Sequence, residues 1–69
     1  MTPDTAARVL SAGANLRIKK MTPDTMVRLA TIARQHKVRL EIVGGLTPDS
    51  MVRVATAGGG YVLFDTSED

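Results

Sequence analysis

Few residues of this chain have the types needed for chemistry, and their spacing decides what each is for. His36 is the single histidine, it lies among Arg34, Lys37 and Arg39, and the chain has no Cys. Zinc needs three or four converging nitrogen, sulfur or carboxylate ligands, and one imidazole without a thiol does not begin such a set. Acid–base work would need His36 beside a nucleophile or carboxylate in a cleft. The aspartates before the tail, Asp4, Asp24 and Asp49, each sit in a helix-start phrase instead. Positive charge at the end of a helix interacts favourably with its terminal carbonyls, so His36 reads as part of a helix stop. These residues give no catalytic, cofactor or metal constellation, and the expectation is a protein that is not an enzyme.

Two glycine-rich turns invite a ligand reading. Gly44-Gly45-Leu46-Thr47 joins a strand pattern to a helix start, where free N–H groups and the helix dipole gather anions. Pro48 removes one donor there, Asp49 repels an anion, and no Lys follows in the loop. Gly58-Gly-Gly60 follows a helix, at its negative end, and reads as a stop with a chain reversal.

Cationic side chains form the remaining lead. Arg17, Lys19 and Lys20 make one cluster and Arg34, Lys37 and Arg39 another. Net charge is +2, but residues 1–64 hold all nine Lys and Arg against four acids, while the tail Asp65-Thr-Ser-Glu-Asp69 holds the other three. Such a basic body suits a polyanion held through Arg17, Lys19, Lys20, Lys37 and Arg39. Neither cluster has an aromatic interleaved on which a base would stack, so a solvated face or a subunit surface is the stronger expectation.

The elements that position these groups come from a phrase used three times: Met1-Thr-Pro-Asp-Thr5, Met21-Thr-Pro-Asp-Thr25 and Leu46-Thr-Pro-Asp-Ser50. Thr2, Thr22 and Thr47 are N-cap residues, the following Pro suits the first helical position, and the Asp meets the positive end of the dipole. Ala6, Met26 and Met51 stand five positions after the leading Met or Leu, the spacing of a hydrophobic staple. Asp4, Asp24 and Asp49 precede Arg8, Arg28 and Arg53 by four residues, which predicts an ion pair within each helix. The longest helix is expected over 23–35, with Met26, Leu29, Ala30 and Ala33 as its apolar stripe; the outer two end near Gly13 and Gly58.

A strand pattern follows each helix, over 16–20, 38–43 and 61–65. The fold class is therefore α/β: three tandem α–β repeat units forming a small three-stranded parallel sheet, order 1-2-3, with helices on one face, solenoid-like and extended by oligomerisation. Residues 1–69 read as a single domain of three repeats, 1–20, 21–45 and 46–69. Leu40-Glu-Ile42, Leu46-Thr47 and Met51-Val-Arg-Val-Ala55 resemble in general architecture the strand–helix unit of leucine-rich repeats. Gly44-Gly45 replaces the Asn or Cys of that family's turn, and the resemblance implies a stacked strand–helix layout and nothing more.

A chain of 69 residues without Cys buries little core of its own, and self-association is the remaining supplement. A sheet of this order leaves two open edges, with Leu16 and Ile18 at one and Tyr61, Val62, Leu63 and Phe64 at the other. Pairing one edge with the other is a heterologous contact that closes into a ring or runs on as a filament. The preferred assembly is a cyclic homo-oligomer with helices outside; an edge-to-edge dimer with a six-stranded sheet is the simpler competitor. No run approaches a membrane span, and Met1 leads straight into a helix start, so a cytoplasmic location is expected. The expected function is a small self-assembling protein-interaction or scaffold module, with further copies and a protein partner. A nucleic-acid-associated accessory or regulatory protein is the alternative.

Overall fold

The structure is a computed structural model, which describes residues 1–66. Ser67, Glu68 and Asp69, the end of the acidic tail, lie outside the described residues. Elements follow one another as α1 (Pro3–Ser11), β1 (Leu16–Lys19), α2 (Pro23–His36), β2 (Leu40–Val43), α3 (Pro48–Gly58) and β3 (Val62–Asp65). The strands form one parallel sheet in the order β1-β2-β3.

Every helix starts at the Pro of its Thr-Pro-Asp phrase. Thr2 and Thr47 accept the Thr5 and Ser50 N–H groups at 3.2 and 3.3 Å, as N-caps do. Thr22 makes no such bond; its hydroxyl donates to Thr25 Oγ1 at 2.9 Å instead. Met21 and Leu46, the leading residues of the two later phrases, pack against the core.

The helix after Pro23 runs one residue further than expected and ends with Lys37 in the left-handed region at φ 55°. Lys37 N–H donates to Arg34 O and Val38 N–H to Ala33 O, the paired bonds of a Schellman closure, with Val38 buried behind them. That use of Val38 is why the second strand begins at Leu40 and not at Val38. The third strand begins after Tyr61 for a related reason, since Tyr61 N–H closes onto Gly58 O.

Strand register is even: Leu16, Leu40 and Val62 lie side by side, as do Ile18, Ile42 and Phe64 one step on. Side chains alternate across a sheet, so these six share the face that packs on the helices. The helices lie next to one another, α1 on α2 and α2 on α3. Leu10, Met26, Leu29, Leu40, Ile42 and Val54 are the large side chains fully enclosed between the layers. Rows of Arg17, Glu41 and Leu63 and of Lys19, Val43 and Asp65 form the other face.

Candidate assembly surface

The edge strands determine what the molecule offers to a neighbour. Leu16 N–H and Lys20 N–H donate to Arg39 O and Val43 O of the middle strand. Parallel ladders use alternate residues on each side, so the backbone groups of Arg17 and Lys19 face the open side of β1. On the other flank, Leu40 N–H donates to Tyr61 O at 2.8 Å and Gly44 N–H to Asp65 O at 2.9 Å. By the same alternation, the backbone groups of Val62 and Phe64 face the open side of β3. One rim thus ends in β1 and the opposite rim in β3, two different and complementary parallel edges.

The six residues expected at those edges separate by side. Ile18 is buried and Leu16, Val62 and Phe64 are partly buried against the helices, so all four side chains belong to the core; Val62 and Phe64 still offer backbone at the β3 rim, whereas the backbone of Leu16 and Ile18 is turned towards β2. Tyr61 is half-buried, and Leu63 is exposed on the open face.

Of the five residues expected to contact a polyanion, Arg17 has its charge engaged. It reaches Glu41 Oε2 through one guanidinium nitrogen and Asp65 Oδ2, at 3.3 Å, through the other. The register sets Arg17 directly opposite Glu41, and its span onto β3 ties all three strands on the open face. Lys20 Nζ donates to Gly45 O at 2.9 Å. Lys19, Lys37 and Arg39 are exposed, and among the described residues none of the three makes an ion pair. Lys19 and Arg39 stand four register rows apart, about 13 Å along the strands.

The helix ion pairs are not the expected ones. Instead of closing within each helix, Asp4 of α1 meets Arg28 of α2 at 3.7 Å and Asp24 of α2 meets Arg53 of α3 at 3.1 Å. Side-by-side helices with the same start phrase put the acid of one beside the arginine of the next, and this contact between neighbours replaces the one a turn away. The result is an exposed ladder that steps from helix to helix.

Asn15 was not legible as a positioning residue: its Oδ1 accepts Arg39 N–H at 2.8 Å and so pins the start of β1 against β2. A lone Asn after Gly-Ala carries no signal that it will reach a strand 24 positions on. The Gly44-Gly45 turn spends Gly44 N–H on the sheet and Ser50 N–H on Thr47. His36 is exposed at the end of α2. Among the described residues, no group of three His, Asp or Glu side chains is placed to share a metal ion, and no helix is long and apolar enough to cross a membrane. No protein-family model matches this chain, and no curated protein or solved structure matches it significantly.

Proposed function

We propose that this chain is a small non-enzymatic protein that works by self-assembly, as a scaffold or protein-interaction module, and that its tandem units continue from copy to copy in a solenoid-like, cyclic homo-oligomer. One observation carries the reading: the parallel sheet presents β1 at one rim and β3 at the other, so each rim supplies the backbone groups the other lacks. Open parallel edges invite pairing, and a thin core gains from the surface such pairing would cover.

Light scattering on a sizing column tests this directly. The expected mass at tens of micromolar is a multiple of 7.4 kDa; a monomer of that mass ends the reading. Lys19→Pro supplies a specific block, because its N–H faces the open rim and its side chain is exposed, a position where a strand tolerates Pro. The variant is expected to run as a monomer with unchanged helix content.

The polyanion reading has narrower support. It retains Lys19, Lys37 and Arg39 as exposed cations, with Arg17 and Lys20 already engaged. Retention on a single- or double-stranded nucleic acid column at low salt, lost steeply towards physiological salt, is its signature.

A further inference from the structure

We infer that the helix ladder is the docking code of the assembly: Asp49 on α3 of one copy pairs with Arg8 on α1 of the next, and the copies join head to tail in the register already used inside the chain. This rests on the self-assembly proposed above and deepens it by naming the two surfaces that meet.

The ladder has two unfinished ends. Arg28 and Arg53 each take the Asp of the preceding helix, and Asp4 and Asp24 each take the Arg of the following one. Among the described residues no helix stands before α1 to meet Arg8 or after α3 to meet Asp49, and neither side chain makes an ion pair. One end of the row therefore presents a cation and the other an anion, the same two groups that pair between neighbouring helices inside the row.

Packing around those ends repeats the argument without charge. A shallow groove on the outer flank of α1 is lined by Thr5, Arg8, Val9 and Ala12. Counted from each Thr-Pro-Asp phrase, the same positions are Thr25, Arg28, Leu29 and Ile32 in α2 and Ser50, Arg53, Val54 and Ala57 in α3. Leu29 and Val54 are fully buried there, whereas Val9 is only half-buried and Ala12 exposed. At the far end the relation inverts. Ala30 of α2 is fully buried and lies close to Gly58 of the next helix, while its counterpart on α3, Ala55, is exposed, and Val52 is 64% exposed beside it. Thus α1 keeps a receiving flank without a helix against it, and α3 keeps the covering flank.

A second copy fits both at once. Continuing the strand register would set Leu16 and Ile18 of the next copy opposite Val62 and Phe64, so the apolar rows run on through the junction. The contact is heterologous and uses the whole rim, strand and helix layers together.

Charge reversal distinguishes this register from assembly of another kind. Arg8→Asp gives a copy with acids at both ends, and Asp49→Arg gives one with cations at both ends. Each alone is expected to raise the dissociation constant about tenfold at low salt, the loss of an exposed pair plus a like-charge contact. An equimolar mixture of the two is complementary wherever the variants alternate and is expected to assemble more tightly than either alone, while the chain carrying both changes is complementary at every junction and is expected to return to the wild-type constant. Recovery in the mixture also shows that neither variant had failed to fold. If single variants assemble like wild type, or the mixture is no tighter than either alone, the Asp49–Arg8 register is wrong while self-assembly stands. A wild-type monomer removes both.

Discussion

Ala30 and Ala55 occupy the same place in two copies of one phrase, yet Ala30 is fully enclosed and Ala55 is exposed. Their local sequences, Met-Val-Arg-Leu-Ala and Met-Val-Arg-Val-Ala, are nearly the same. The difference between α2 and α3 is position in the row: α2 has a helix on each side and α3 has one. Burial is thus set by neighbours, and an end helix keeps the surface chemistry of an inner one without its cover.

The sharpest way to break this comparison is to truncate the same position in an inner and an outer helix. Leu29→Ala is expected to cost ~2–5 kcal/mol, the range for a fully enclosed Leu, whereas Val9→Ala, at the equivalent half-buried site on α1, is expected to cost under ~1 kcal/mol. Urea denaturation of both variants, at concentrations where the chain is monomeric, checks the contrast. Equal losses would mean that α1 is covered as fully as α2.

A smaller effect separates the inward faces of α2 and α3. Ala33 of α2 has its counterpart in Gly58 of α3, where an added Cβ would clash with Val62 Cγ2 and stand 3.4 Å from Ala30 Cβ. Helix propensity favours Ala over Gly by ~1 kcal/mol, but overpacking here outweighs it. Gly58→Ala is expected to destabilise by ~1–3 kcal/mol, and adding Val62→Ala should relieve the clash. A gain in melting temperature for Gly58→Ala alone would contradict this.

The helix ends give the smallest effect. Both α2 and α3 close on a residue at φ 55°, but that residue is Lys37 in one and Gly59 in the other. A side chain in the left-handed region costs about 1 kcal/mol, partly offset because Gly adds freedom to the unfolded chain. Lys37→Gly is expected to stabilise by about 0.5 kcal/mol, read as a small upward shift of the urea midpoint.

Much of the fold was legible because its signals are local. A Thr, a fixed-φ Pro and an Asp against the dipole act within one turn, so all three starts fall at Pro3, Pro23 and Pro48. Alternation in Leu16–Lys19 and Leu40–Val43 likewise assigned their faces. The expected ion pairs failed because side chains on neighbouring helices compete with those a turn away, and Arg28 reaches Asp4 across a gap that sequence spacing does not measure. For the same reason the partners of Arg17 were not legible: it finds Glu41 and Asp65, 24 and 48 positions away.

What the sequence determined by itself is the list of elements, where each helix starts and which side of the first two strands is apolar, since caps, φ restriction and period-two alternation depend on residues within a turn or a strand. Tertiary structure alone decided which acid meets which arginine, that Asn15 holds β2, and that Val38 closes a helix instead of lengthening a strand. Those outcomes turn on distances of a few ångströms between segments far apart in the chain, and they exist only once the helices and strands lie side by side.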